Sequence, residues 1–238
     1  MVFSGTKRKS AIILTHAVTG DATLIYQPLI AYLKHLDVPI YCIDANELDF
    51  SNTHDLQECT KRYTTALIRH VKKQSVTNIN YYLIGWSSGG AIAWKIAEHL
   101  EAEGEKVKFL ALVDSLAPSV YTSLDQVSYA TEIHELVERI IVIANAKFNI
   151  SFLLNISVKI LSSLEPYAQI DYIFSVLLKQ TINNRDASIW LQNIQWLIKA
   201  IQTAHFKQCS IKPTLFRSKY TTDKLKEYGL DAEDRQIM

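Results

Sequence analysis

The residues with the clearest chemistry lie in one short stretch, Ile84-Gly85-Trp86-Ser87-Ser88-Gly89-Gly90. It matches G-x-S-x-G, the pattern that lifts a nucleophilic serine out of a sharp strand-to-helix turn. Such a turn strains the backbone of the serine and crowds neighbouring chain segments, so the flanking positions need glycine. Ser87 is the candidate nucleophile, with Gly85 and Gly89 as its elbow glycines. The following helix would aim its amino end at any oxyanion formed there, which makes the Ser88 amide a candidate oxyanion donor. A phosphate-binding loop fails on spacing, since neither G-x-x-x-x-G-K-[ST] nor G-x-G-x-x-G fits. Only seven glycines occur in 238 residues, and three fall within the six positions from 85 to 90. That clustering marks the stretch as the place to look for function.

A serine on this kind of turn needs a base and an acid to orient it, in the chain order Ser, Asp or Glu, His. Asp114 follows the apolar run 109–113, 27 residues after Ser87, and is the candidate acid. The carboxyl end of a strand is where open parallel sheets place their ligands. Asp44 is a rival, but it precedes the serine. The second oxyanion donor is expected from the turn after the first strand, His16-Ala17-Val18-Thr19-Gly20-Asp21, with the Val18 amide as the candidate. His16 also precedes the serine and reads as a residue that holds its loop. Two later histidines, His205 and His134, are weak substitutes for the base. Each reads more simply as a packed or solvated helix residue.

These groups need a scaffold. Continuous apolar runs at 11–14, 38–43, 80–84 and 107–113 have the character of parallel strands buried on both faces. Helical periodicity fills the intervals at 24–36, 56–71 and 91–100. Strand and helix in alternation predict an α/β fold, a mostly parallel sheet with helices on both faces. From about 130 to 204 only helical stretches follow, and then a fifth strand at 213–217. We therefore expect an α/β core over 1–118, a helical lid insertion over 119–210, and a return strand with a polar tail over 211–238, within a single domain overall. Apolar stripes at 140–143, 152–154, 170–178 and 190–198 are expected to pack the lid or to line it.

Composition narrows the partners. Lys and Arg number 25 against 24 Asp and Glu, which argues against nucleic acid or an anionic membrane as the main partner. Apolar residues at 48% exclude a disordered chain. Cys42, Cys59 and Cys209 have no metal or redox spacing and read as reduced thiols, and no resident cofactor or metal is expected. No run is long and apolar enough to span a bilayer, and no secretory signal opens the chain. The expectation is a soluble, cytoplasmic protein.

Taken together, these residues carry a resemblance. His16-Ala17-Val18-Thr19-Gly20 with Tyr26-Gln27-Pro28-Leu29 resembles the H-P-x-x-G…Y…L opening of thioesterase domains. Gly85-Trp86-Ser87-Ser88-Gly89-Gly90-Ala91-Ile92-Ala93 is similar to their elbow and helix, and Leu112-Val113-Asp114-Ser115 to their L-x-D-[ST]. The family is the one attached to nonribosomal peptide and polyketide synthases, related to the animal fatty acid synthase thioesterase. The resemblance implies an α/β-hydrolase fold and an acyl chain held as a thioester on the phosphopantetheine of an acyl or peptidyl carrier protein. Ser87 would take the acyl group, and water or a nucleophile within the chain would release it by hydrolysis or cyclisation. In this family the base follows a further strand beyond 213–217. No histidine follows Arg217 in the remaining 21 residues. The expectation is thus a chain that stops short of the last strand and the triad histidine. The alternative is a catalytically impaired remnant that still binds acyl chains or a carrier protein.

Overall fold

The structure is a computed structural model and describes residues 2–7, 9–45, 55–73, 78–115 and 126–218. Five strands form one sheet: β1 (Ser10–Thr15), β2 (Ile40–Ile43), β3 (Asn80–Trp86), β4 (Lys106–Val113) and β5 (Thr214–Phe216). Every neighbouring pair is parallel, in the order β2-β1-β3-β4-β5. The chain therefore leaves β1 toward one edge to make β2, then returns to the other side of β1 to make β3. Ligand crevices in open α/β sheets form at such a reversal, above the carboxyl ends of the two diverging strands. The expected α/β-hydrolase sheet is present, and its reversal lies between β1 and β3.

The helices follow from local chemistry. Helix α3 (Leu56–Lys72) begins at Asp55, whose carboxylate accepts the Glu58 amide at 2.7 Å, and ends with Arg69, His70 and Lys72 in its last turn. The single helix expected over 24–36 is instead two, α1 (Ala22–Ile25) and α2 (Gln27–Leu33), followed by a 3-10 turn. Pro28 explains the break, because a ring without an N–H is tolerated only in the first turn of a helix. Ala22, Tyr26 and Ile30 of this pair pack with Ile12, Leu14 and Ile40 against one face of the sheet. Helix α4 (Ser88–Ala102) starts three residues before the expected 91, directly after Ser87. Its Ile92, Ile96 and Leu100 are fully buried.

Helix α4 also holds the return segment. Lys95 and Glu98 pair at 2.8 Å with side chains only 3% and 6% exposed, so their charges need every partner they can find. Lys95 donates as well to the His205 carbonyl, and Glu98 accepts the Lys207 amide at 2.7 Å. Trp94 donates to the Lys207 carbonyl at 2.9 Å, and Glu101 accepts the Ser210 amide at 2.9 Å. Residues 204–213 thus reach β5 along a polar clasp.

Two compact units result, residues 1–117 with 204–238, and residues 118–203. The second is all-helical among its described residues: α5 (Gln126–Phe148), α6 (Val158–Leu161), α7 (Pro166–Lys179) and α8 (Arg185–Thr203). Asn149 at φ 52° ends α5, and the Asn145 side chain accepts the Phe152 amide at 2.9 Å in the extended stretch that follows. Ile133, Val137, Ile173, Phe174, Leu191 and Ile194 belong to its buried core. Among the described residues no helix is long and apolar enough to cross a membrane. The polar tail after 218 lies outside the described residues.

Candidate active site

Ser87 stands between β3 and α4 at φ 54° and ψ −130°. This backbone costs an L-residue about 1–3 kcal/mol and persists only where its surroundings enforce it. They do so here through hydrogen bonds from several elements. The Ser87 amide donates to the Val113 carbonyl at 2.8 Å. Its carbonyl accepts the Gly90 amide at 3.0 Å and the Ser115 hydroxyl at 2.6 Å. The preceding Trp86 amide donates to the Tyr26 phenol oxygen at 2.7 Å, and the Thr15 hydroxyl donates to the Gly89 carbonyl at 2.8 Å. Burial pushes the Tyr26 phenol up, so that it stays protonated.

The glycines are required by the same crowding. A Cβ on Gly85 would stand 2.2 Å from the Gly89 carbonyl oxygen, and one on Gly89 2.8 Å from the His16 carbonyl oxygen. Gly90, absent from the expected elbow pair, is as tightly constrained: its Cβ would meet the Ser115 hydroxyl at 2.0 Å. Ser115, Tyr26 and Thr15 are the supporting residues that the sequence did not disclose. The available signals were the places of Tyr26 and Ser115 in the motifs that carry the resemblance; Thr15 had none.

Asp114 follows Val113, the last residue of β4, which pairs in register with Trp86, so the turn bearing Asp114 adjoins the one bearing Ser87. It too has a positive φ, 46°. Its amide donates to the Phe216 carbonyl at 2.8 Å, and its Oδ1 accepts the Ser218 amide at 2.6 Å. The rival Asp44 is committed elsewhere. It accepts the Thr23 amide at 2.9 Å and the Thr23 hydroxyl at 2.6 Å, which ties it to the start of α1.

Ser88 opens α4, so its amide belongs to the first turn, where N–H groups have no intrahelical partner. Its hydroxyl is buried without a hydrogen-bond partner among the described residues. Val18 is half-buried in the turn after β1, which Gly20 closes at φ 88° with its amide on the Ala17 carbonyl at 3.0 Å.

The histidines are placed as follows. His16 is fully buried, with Nδ1 2.8 Å from the Ala17 carbonyl and Nε2 2.9 Å from the Tyr63 hydroxyl. His205 is exposed, and Lys95 holds its carbonyl seven residues along α4 from Ser88, an axial rise of about 10 Å. His134 lies in the helical unit, with Nε2 2.9 Å from the Ile156 carbonyl. Neither the His16 nor the His205 ring bonds to Ser87 or Asp114, and no described residue of the same unit bonds to the Ser87 hydroxyl.

Burial pushes the Cys42 and Cys59 thiols up to about 11 and Cys209 up to about 12, so all three are poor thiolates. Among the described residues no His, Cys, Asp and Glu cluster could hold a metal.

Comparison with known proteins agrees with this geometry. The family model "Thioesterase domain" matches residues 10–207. The inactive atromentin synthetase invA3 of Paxillus involutus is 32% identical over 117 residues, which cover 47% of this chain but only 11% of that protein. Two solved structures share the fold. One is a four-domain nonribosomal peptide synthetase bound to AMP and glycine, at TM-score 0.57 and 20% identity over 92% of this chain and 16% of that one. The other is the NocB thioesterase domain in covalent complex with a fluorophosphonate nocardicin G analogue, at TM-score 0.52 and 16% identity over 93% of this chain and 78% of that one. A strained serine elbow at the reversal of a parallel sheet and a family match over most of its length together establish that this chain belongs to the thioesterase domain family.

Proposed function

We propose that this domain releases acyl chains from the phosphopantetheine of a carrier protein through an acyl-Ser87 intermediate. The observation that carries the proposal is the elbow. Its backbone is held strained by four elements, while its hydroxyl is free of hydrogen bonds to described residues of the same unit. Ser87 Oγ attacks the thioester carbonyl, and the Val18 and Ser88 amides receive the oxyanion. As the carbonyl re-forms, the carbon–sulfur bond breaks and the thiol of the arm leaves with a proton. Water, or a hydroxyl or amine of the acyl chain itself, then attacks the ester and restores Ser87, giving an acid or a ring. These protons need a base, which Asp114 would orient. His16 is excluded from that role, because both ring nitrogens are engaged. With no base among the described residues, such a site keeps part of its rate from the oxyanion hole alone.

The test is covalent labelling of Ser87 by a fluorophosphonate, together with hydrolysis of a short acyl-pantetheine thioester. Ser87→Ala abolishes both. Added imidazole accelerates turnover of the native chain with a pH dependence of its own ionisation, while His205→Ala leaves turnover unchanged. Absence of both labelling and turnover would overturn the proposal and leave a domain that only captures its ligand.

A further inference from the structure

We infer that His16 and Tyr63 are positioning residues that hold the oxyanion-hole amide of Val18 in its receptive orientation. The inference rests on the acyl-transfer reading above, and it begins from hydrogen-bond roles. A carbonyl oxygen can only accept, so the His16 Nδ1 lying 2.8 Å from the Ala17 oxygen must carry the ring proton. The imidazole is completely buried, and burial holds its pKa below the ordinary value, so the ring is neutral. Its Nε2 is then an acceptor, and the Tyr63 hydroxyl 2.9 Å away must donate to it. Burial pushes the Tyr63 phenol up, which keeps that donor protonated.

The same carbonyl takes a second hydrogen bond, from the Gly20 amide at 3.0 Å. Two donors fix the plane of the peptide between Ala17 and Val18. No cis peptide occurs among the described residues, so the Val18 N–H points opposite to the Ala17 carbonyl, away from the buried imidazole. A flipped peptide would turn the Val18 N–H toward two other N–H groups and leave three donors without an acceptor. Tyr63 comes from the middle of α3 and meets the imidazole edge to face, with ring centroids 5.7 Å apart. A helix remote in sequence thereby fixes the ring tautomer, the tautomer fixes the peptide, and the peptide presents the oxyanion donor.

Tyr63→Phe removes the terminal donor, together with the hydroxyl's hydrogen bond with the Cys59 thiol. Tyr81→Phe is the matched control, since Tyr81 is also buried but its hydroxyl has no hydrogen-bond partner among the described residues. With the full chain and a fluorophosphonate, Tyr63→Phe is expected to lower the inactivation rate at Ser87 about tenfold with the inhibitor's binding constant unchanged, the signature of a weakened oxyanion site. Amide exchange at Gly20 rises with it, and Tyr81→Phe does neither. Nitrogen NMR of the native protein shows His16 protonated at Nδ1. An Nε2-protonated ring, or an unchanged rate and exchange in Tyr63→Phe, would overturn the inference. If native Ser87 is not labelled, the acyl-transfer reading falls, and the tautomer and the exchange rate still decide the positioning role. If Tyr63→Phe does not fold, the native tautomer decides it.

Discussion

The two turns that frame the crevice, one after β3 and one after β1, are held in opposite ways. The β3 turn carries its strain in the backbone of Ser87 and is braced by main-chain and hydroxyl groups of β1, α2's leading residue Tyr26, β4 and the residue after Asp114. The β1 turn places its positive φ on Gly20, where it costs little, and its Ala17 carbonyl is held by one imidazole and the Gly20 amide. The geometry of Ser87, the proposed nucleophile, is thus set redundantly, whereas that of the Val18 amide, the proposed oxyanion donor, rests on a short chain of groups. A nucleophile must be rigid to attack along one line. A single peptide plane can be oriented by two donors on one carbonyl.

Paired glycine substitutions are the strongest way to break this contrast. Gly85→Ala forces a Cβ to 2.2 Å from the Gly89 carbonyl oxygen, where only backbone movement can make room. It should cost about 4 kcal/mol or more and leave little folded protein. Gly20→Ala meets a left-handed backbone penalty of about 1–2 kcal/mol and should lose less. Chemical denaturation measures both, and equal losses would erase the contrast.

A smaller effect is expected where one brace among several is removed. Ser115→Ala deletes the 2.6 Å hydrogen bond to the Ser87 carbonyl, which the Gly90 amide still serves. Stability should fall by about 1–2 kcal/mol and fluorophosphonate labelling by roughly tenfold. Ser115→Thr, which keeps the hydroxyl, should restore the labelling rate. A full rate in Ser115→Ala would show that the other braces suffice.

The smallest effect is on acid stability and strikes the β1 turn. His16 has a folded pKa lowered by burial, so the unfolded chain takes up a proton first. Its contribution is fully present above the unfolded pKa of about 6.5 and is lost as pH falls through the folded value. His99 is lowered for the same reason and adds to the slope. The thermal midpoint of His99→Gln, followed from pH 8 down to 5, should therefore still decline. A flat profile would contradict a neutral, buried His16.

Much of the scaffold was legible in the order of residues. Four apolar runs with helical intervals specify a parallel sheet, because a strand covered on both faces must be apolar throughout. The elbow was legible for a related reason: its glycines are demanded by contacts so close that no other residue fits. The break at Tyr26 was less visible, since a proline shifts a helix start without disturbing apolar periodicity.

What the sequence determined alone is what local sterics and periodicity enforce: the strands, the turn at Ser87, and an acid at the end of the next strand. Only the tertiary structure decided that Ser115, Tyr26 and Thr15 brace the elbow, that Asp44 serves α1, and that Tyr63 reaches His16 across 47 positions of chain. A hydrogen bond between side chains distant in sequence leaves no periodic trace. Its partners are ordinary residue types, and only the packing of α3 near the end of β1 brings them within 2.9 Å.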